Sequence, residues 1–209
     1  MSEHMNRCVI FCASPEFYLE ELREDDYIIA CDGGYEHAVR SGVRPHLALG
    51  DFDSYSGEIA EDVPVLRAPC EKDDTDTMLA IKLALDKGYR DFMLLGATGG
   101  RLDHLLANIS AAVYIVEHGG DCVICDRYNR VHVIRDRTLT LHGLRGQTLS
   151  VLSYTDEARG VTLRGMKYPL DDYTMSSAFP IGVSNVVESD ECSITVREGI
   201  LLVIEAGMV

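Results

Sequence analysis

Basic residues are scarce in this sequence. Its 209 residues include 19 Lys and Arg against 34 Asp and Glu, which gives a formal net charge of −15. A chain this acidic repels phosphate backbones and anionic lipid headgroups. The composition therefore argues against non-specific nucleic-acid binding and against docking on a membrane surface. Any phosphate that the protein handles must be bound with the help of divalent cations.

Long hydrophobic runs are also missing. The longest, such as Ile200–Ile204, are far shorter than the roughly 18–20 residues of a membrane span, and the first residues lack the features of a signal peptide. The seven cysteines are odd in number and scattered along the chain, which indicates reduced thiols rather than a disulfide framework. We expect a cytoplasmic globular protein without a membrane segment.

The first 125 residues alternate apolar runs of strand length with amphipathic stretches. Strands that are apolar throughout are typical of a parallel sheet buried on both faces. The sequence therefore predicts an α/β, Rossmann-like domain with helices on both faces of a parallel sheet. The predicted strands lie near residues 8–12, 27–31, 47–49, 63–67, 91–95 and 121–125. The predicted helices lie near residues 16–23, 36–41, 75–87 and 102–118.

After about residue 130 the hydrophobic pattern changes to a period of two. Alternation of this kind is typical of antiparallel strands, and we expect them near residues 130–134, 138–141, 147–152, 161–164, 192–196 and 200–204. We therefore predict two domains, an α/β domain over residues 1–129 and an antiparallel β domain over residues 130–209.

Carboxylates follow successive predicted parallel strands. They occur in Asp32-Gly33-Gly34, in Gly50-Asp51-Phe52-Asp53 and in Asp73-Asp74-Thr75-Asp76. In an open parallel sheet, ligands bind at the carboxyl ends of the strands. Carboxylate oxygens suit Mg²⁺, so the sequence predicts a magnesium site at this edge. For a single loop, a helix cap or a tight turn is the commoner explanation of Asp32-Gly33-Gly34, and N-capping of the following helix explains Asp73 or Asp74 equally well.

A glycine-containing turn opens the longest predicted helix. Thr98-Gly99-Gly100-Arg101 combines free backbone N–H groups, a helix N-terminus and a guanidinium, which together favour an anion such as phosphate. The segment has neither the spacing of a Walker A loop nor that of a Gly-x-Gly-x-x-Gly loop. A tight turn with a solvated Arg101 is the competing interpretation.

These motifs occur in an order that resembles one known family, the thiamine pyrophosphokinases. The matching stretches also include Gly165-Met-Lys167-Tyr168-Pro169-Leu170 and Gly182-Val-Ser184-Asn185, so the resemblance spans nearly the whole chain. It implies an α/β domain that binds ATP and metal, followed by a β-sandwich domain that binds thiamine and forms a homodimer. The implied reaction transfers pyrophosphate from ATP to thiamine and releases AMP, in active sites shared between the two subunits.

The resemblance also assigns roles to individual residues. It implies Asp51, Asp53 and Asp76 as metal ligands and Ser184 and Asn185 as thiamine-binding residues. The implied catalytic residues are Asp76, Arg101 and Asp103, and either carboxylate is a candidate to accept the proton of the thiamine hydroxyl. The implied ATP-binding residues are Asp32, Gly33, Gly34, Thr75, Thr98, Gly99 and Gly100.

One departure from the family concerns tryptophan. Animal members place a Trp of the last strand against thiamine, whereas this chain has no Trp and reads Ile200-Leu201-Leu202-Val203 at that point.

Two alternative functions remain open. One is a pyrophosphokinase with another alcohol acceptor, such as a hydroxymethylpterin, and the other is a non-catalytic sensor of nucleotide or metal.

Overall fold

The chain forms two compact units, with the boundary between Asp126 and Arg127. The computed structural model describes residues 6–52, 55, 57–67 and 74–207. No helix within these ranges is long and apolar enough to cross a membrane. The first unit contains β1 (Arg7–Phe11), β2 (Tyr27–Cys31), α1 (Gly34–Arg40), β3 (Leu47–Gly50), β4 (Val65–Arg67), α2 (Asp76–Asp86), β5 (Asp91–Leu95), α3 (Leu102–Glu117) and β6 (Asp121–Cys125). The second contains β7 (Asn129–Arg135), β8 (Thr138–His142), β9 (Thr148–Ser153), β10 (Glu157–Arg164), β11 (Leu170–Ser176), β12 (Asn185–Val186), β13 (Glu191–Thr195) and β14 (Ile200–Ala206).

The strands of the first unit are all parallel and pair in the order β6-β5-β1-β2-β3-β4. The predicted parallel sheet is thus confirmed. Helix α1 packs its buried Tyr35 and Ala38 with Phe11 and Ala30, whereas the start of α2 contacts Cys31, the next residue along β2. Successive residues of a strand point to opposite faces, so α1 and α2 contact residues on different sides of β2.

The strands of the second unit are antiparallel, as their period of two predicts. They form two sheets, in the orders β12-β9-β14-β7 and β11-β10-β13-β8. Both sheets contribute to one hydrophobic cluster, for example through Val151 and Val203 of the first and Val161 and Ile194 of the second. The predicted fold class, a mixed α/β chain with a parallel sheet and an antiparallel part, is therefore confirmed.

The helix predicted over residues 16–23 is wrong, because this segment is irregular in the structure. Phe17 and Leu22 both pack against the core of the first unit although they are five residues apart. On a helix, with 100° per residue, they would point in different directions. Tertiary packing therefore overrides the local amphipathic pattern.

Two strands were not predicted. β11 has a sequence, Leu-Asp-Asp-Tyr-Thr-Met-Ser, that lacks alternation because four of its residues are exposed at the edge of its sheet. β12 has only two residues, too few for any periodicity. Both segments are held by pairing with neighbouring strands, which the sequence pattern does not report.

A buried ion pair joins the start of β1 to the turn before β2. The Arg7 guanidinium donates from Nε to Asp26 Oδ1 (2.9 Å) and from Nη2 to Asp26 Oδ2 (2.7 Å), and both side chains are almost fully buried. Arg7 also donates to the Glu21 carbonyl, and Asp26 accepts the backbone N–H of Arg23. The hydrogen bond with Asp26 raises the pKa of Arg7.

Replacing Arg7 with Leu should lower the free energy of unfolding by about 3–5 kcal/mol, because it leaves the Asp26 carboxylate buried without its cation. The matched control is Arg23→Leu, which removes an exposed guanidinium from Asp91 and should cost about 0–1 kcal/mol. Urea denaturation of the two variants measures the difference. Equal losses would contradict a stabilising role for the buried pair.

Candidate active site

A cleft of about 430 Å³ lies at the carboxyl ends of the parallel strands. It is centred where the strand order reverses, since β2 lies on one side of β1 and β5 on the other. Ligands bind at such switch points in open α/β sheets. The lining residues are Cys12, Ala13, Ser14, Pro15, Cys31, Asp32, Asp74, Thr75, Asp76, Thr77, Ala97, Gly99, Arg101, His104, Ala107 and Asn108.

The Asp32 carboxylate organises the turn after β3. Its Oδ1 accepts the backbone N–H groups of Asp51 (3.1 Å) and Phe52 (3.3 Å). Gly50 has a φ of +147°, and a Cβ at that position would overlap Asp32 Oδ1, so only glycine fits. Phe52 also has a positive φ, of 59°, and places its ring in the core beside Tyr35. Asp51 is thereby fixed at the edge of the sheet.

Like charges meet around Asp32. Burial raises the pKa of Asp32 to about 7, helped by a hydrogen bond with Asp76 and by the negative charges of Asp76 and Asp51. Crowded carboxylates of this kind are stabilised by a cation, and their hard oxygens fit Mg²⁺. Within the described ranges no three His, Cys, Asp or Glu side chains are arranged around one metal position. Asp53, the third predicted ligand, lies outside the described residues.

The start of α2 distinguishes the carboxylates of the third motif. The helix begins at Asp76, and its N-cap is Thr75, whose Oγ1 accepts the backbone N–H of Met78 (3.2 Å). Asp74 is instead paired with Lys82, whose Nζ lies 2.8 and 2.7 Å from its two oxygens. Capping by Asp74 is therefore wrong, and Asp73 lies outside the described residues. Asp76 remains directed at Asp32 in the cleft.

The loop from Gly96 to Arg101 lies on the other side of the cleft. Gly99 and Gly100 have positive φ values of 81° and 64°, which favour glycine. Thr98 Oγ1 donates to Asp126 (2.6 Å), so this hydroxyl anchors the loop to the residue after β6. The α3 N-cap, Arg101, makes no side-chain capping bond. The His104 N–H donates to Asp103 Oδ1 (3.0 Å), and the N–H groups before it in the first turn are available to an anion.

Arg101 and Asp103 form an exposed pair at the cleft. Nε of Arg101 lies 3.1 Å from Asp103 Oδ1 and Nη2 lies 2.5 Å from Oδ2. The hydrogen bond from Arg101 lowers the pKa of Asp103. Arg101 lines the cleft, and its remaining N–H donors are available to an anion.

Gly33 and Gly34 lie at the start of α1. Gly33 is the N-cap, and a Cβ on Gly34 would overlap the Phe11 carbonyl oxygen. Neither glycine lines the cleft, unlike Asp32 just before them. The close approach of α1 to the end of β1 therefore explains Gly34, whereas a Cβ on Gly33 would meet Ala13 only at an ordinary contact distance of 3.4 Å.

Sequence reasoning missed the loop after β1. Ser14 donates its hydroxyl to the Thr98 carbonyl, and Asn108 donates to the Ala97 carbonyl (2.8 Å), so both side chains hold the glycine loop. Cys12 accepts a hydrogen bond from Thr77 Oγ1, and burial raises the pKa of its thiol to about 12. The only available signal was position, because Ala13–Pro15 directly follow the strand predicted over residues 8–12.

Ser184 and Asn185 lie in the second unit and differ in exposure. Asn185 is buried, and its amide bonds the chain itself: Oδ1 accepts from Tyr168 N (3.0 Å) and Val186 N (2.9 Å), and Nδ2 donates to the Tyr168 carbonyl (2.8 Å). Ser184 has a φ of +58° and an exposed side chain.

The Ile200-Leu201-Leu202-Val203 stretch is buried in β14 and presents no exposed counterpart of the missing Trp.

Two family profiles match the chain in succession. The profile described as "Thiamin pyrophosphokinase, catalytic domain" matches residues 18–124, and "Thiamin pyrophosphokinase, vitamin B1 binding domain" matches residues 130–201. The first match contains the carboxylate motifs and most of the cleft. The second contains Ser184 and Asn185.

Individual relatives agree with the profiles. The chain is 28% identical over 184 residues to thiamine pyrophosphokinase of Bacillus subtilis, covering 85% of this chain and 86% of the relative. A crystal structure of thiamine pyrophosphokinase from Bacillus subtilis matches with a TM-score of 0.90 at 25% identity, over 98% of this chain and 100% of that one. The enzyme from Geobacillus thermodenitrificans matches with a TM-score of 0.82 at 30% identity, over 97% and 98%.

Replacing Gly50 with Ala should destabilise the protein more than a comparable change elsewhere. The added methyl group meets the Asp32 carboxylate, whereas Ala at Gly88, where φ is also positive (+94°), meets nothing within 4 Å. We expect Gly50→Ala to lower the free energy of unfolding by about 1–3 kcal/mol more than Gly88→Ala. Urea denaturation measures both, and equal losses would show that the Asp32 contact contributes nothing.

Proposed function

The chain belongs to the thiamin pyrophosphokinase family, and from this premise we propose how its own residues transfer pyrophosphate from ATP to thiamine. The family and enzymatic activity predicted from the sequence are confirmed, and neither a pterin pyrophosphokinase nor a non-catalytic sensor is favoured. The observation that carries the function is the succession of catalytic and vitamin B1 binding matches along one chain. ATP and thiamine are the substrates.

We place ATP in the cleft at the switch point. The positive end of α3, the N–H groups of the glycine loop and the free donors of Arg101 support the phosphates here. In this arrangement Asp32 and Thr75 act by holding the loops that border the nucleotide. The proposed ATP-binding set is Asp32, Gly33, Gly34, Thr75, Thr98, Gly99 and Gly100, in which Gly33 and Gly34 contribute from behind the cleft by letting α1 start directly after Asp32.

We propose that Asp51, Asp53 and Asp76 hold Mg²⁺. The crowding of Asp51 and Asp76 around Asp32, at the edge of the cleft, supports this assignment. When bound, the ion supplies neutralisation of charge on the phosphate oxygens. A cation held by these carboxylates would also offset the repulsion between a chain with a net charge of −15 and a polyanionic nucleotide.

The attacking hydroxyl of thiamine must lose its proton, and Asp76 and Asp103 are the proposed acceptors. Arg101 lowers the pKa of Asp103 and so weakens it as a base while the two are paired. If Arg101 turns to a phosphate, that restraint is removed and Asp103 becomes more basic. In this proposal one arginine both stabilises the transferring group and controls the neighbouring carboxylate.

The second unit supplies thiamine binding and dimerisation in this proposal. The division at Asp126 agrees with the change from a parallel to an antiparallel sheet and supports an α/β domain with helices on both faces followed by a β-sandwich domain. Tyr168, Phe179, Ile181 and Val183 have large, exposed hydrophobic side chains, which suit contact with a second copy of the chain. Ser184 lies directly beside Val183, and Asn185 fixes the backbone next to it.

We also propose a cytoplasmic location. The six cysteines in the described part of the chain are buried as thiols, which suits a compartment where thiols stay reduced. Oxidation of buried thiols would disturb the strands that carry them.

With ATP and thiamine, the wild-type protein should release AMP and thiamine diphosphate in equal amounts and no ADP. Asp76→Asn should lower kcat about 10²–10³-fold, because an amide cannot replace the carboxylate in charge stabilisation. Its thermal stability should not fall, since the change relieves repulsion with Asp32. Chromatography of the nucleotides and thermal melts measure both effects.

The matched control is Asp74→Asn, two residues away. Asp74 is paired with Lys82 rather than with Asp32, so we expect a smaller loss of turnover, below about tenfold. Formation of ADP by the wild type would contradict the reaction. Equal losses in the two variants would contradict the separate roles of Asp74 and Asp76.

Mixed subunits test the shared active site. Asp76→Asn removes the proposed metal ligand, and Ser184→Arg places a cation where the cationic thiazolium ring should bind. If each site combines the first unit of one chain with the second unit of its partner, each mixed dimer contains one site with both changes and one with neither. After subunit exchange, activity should return to about a quarter of the wild-type value. No recovery after confirmed exchange would mean that each site is built from one chain.

A further inference from the structure

His37 connects α1 with the loop that follows β1. Its Nε2 lies 2.7 Å from the Ser14 carbonyl oxygen, so this nitrogen carries a hydrogen and donates it. The ring stacks on Phe17, with ring centroids 4.5 Å apart and planes within 9°, and Phe17 in turn packs on Phe11 of β1. The direction of the Nε2–H bond is therefore fixed by packing.

Ser14, the acceptor, is tied to the glycine loop at several points. Its backbone N–H donates to the Gly96 carbonyl (3.0 Å) and its hydroxyl donates to the Thr98 carbonyl. The hydroxyl oxygen also accepts the N–H of Glu16 (3.4 Å). Any movement of Ser14 is therefore transmitted to Gly96 and Thr98.

The two loops are also packed too closely to move independently. A Cβ on Gly100 would lie 2.8 Å from Pro15, and one on Gly99 would lie 2.8–3.0 Å from the side chain of Glu16. The segment from Ser14 to Glu16 therefore packs against the glycine loop and supports it. His37, on α1, holds the segment from Ser14 to Glu16 next to that helix through its hydrogen bond with Ser14.

We propose that His37 is a positioning residue for nucleotide binding, which acts through the Ser14 carbonyl on the loop from Gly96 to Arg101. The proposal rests on the placement of ATP in the cleft. His37 does not line the cleft and needs no contact with substrate. A carbonyl acceptor requires only an N–H donor, which both the neutral Nε2–H tautomer and the imidazolium provide.

Two substitutions separate the donor from the ring. His37→Phe keeps a flat ring to stack on Phe17 but has no N–H, and we expect it to raise the KM for ATP about tenfold while kcat falls less than about threefold. His37→Gln loses the ring but retains an amide donor at a similar distance, and it should restore most of the ATP affinity. A higher KM in His37→Gln than in His37→Phe would overturn the proposal.

The matched control is His118→Phe at the end of α3. His118 also stacks on an aromatic ring, that of Tyr114 at 3.9 Å, and its Nδ1 lies 2.8 Å from the Tyr114 carbonyl oxygen, but it is exposed and outside the cleft. We expect no change in its KM for ATP. If His118→Phe and His37→Phe have the same effect, loss of a histidine rather than loss of positioning is the cause.

Amide hydrogen exchange provides a readout that does not depend on activity. In the full-length protein without substrate, His37→Phe should accelerate exchange in residues 96–101 and His37→Gln should do so less, while α2 keeps the wild-type rates. Unchanged exchange in residues 96–101 of His37→Phe would overturn the proposal. An inactive wild type would contradict the proposed function alone, because the exchange experiment still reports on His37.

Discussion

The site depends on a single carboxylate that accepts hydrogen bonds from the backbone. Asp32 accepts the N–H groups of Asp51 and Phe52, and this bond determines where the chain goes after β3. This arrangement requires glycine at position 50 and a left-handed backbone conformation at Phe52. The cost of that conformation is offset because the Phe52 ring is buried in the core. Asp32 therefore shapes the turn after β3 and also contributes negative charge to the cleft.

The cleft is bordered by loops that are held through main-chain carbonyls. Ser14 and Asn108 donate to Thr98 and Ala97, and His37 donates to Ser14. Each of these side chains satisfies a backbone acceptor that a loop would otherwise leave to water. Preorganised loops of this kind bind a flexible polyanion with less loss of conformational freedom.

The sequence predicts elements that depend on a local residue pattern, and it fails where contacts between distant parts of the chain decide the structure. Buried parallel strands such as β1 and β5 were predicted because a strand covered on both faces is apolar at every position. The helix over residues 16–23 failed because Phe17 and Leu22 pack on distant parts of the core. The carboxylates of the cleft were found because Asp and Gly cluster at strand ends. Ser14 and His37 were not found, since their partners are carbonyl groups whose positions no residue type encodes.

The thiols at the base of the cleft have a consequence for redox chemistry. Cys12 and Cys31 line the cleft, yet burial raises the pKa of Cys12 to about 12 and that of Cys31 well above its usual value. At neutral pH both side chains are therefore thiols rather than thiolates, the form that peroxides and electrophiles attack. Chemical inactivation through these cysteines is therefore slow. The burial that shapes the base of the cleft therefore also keeps these two thiols in their less reactive form.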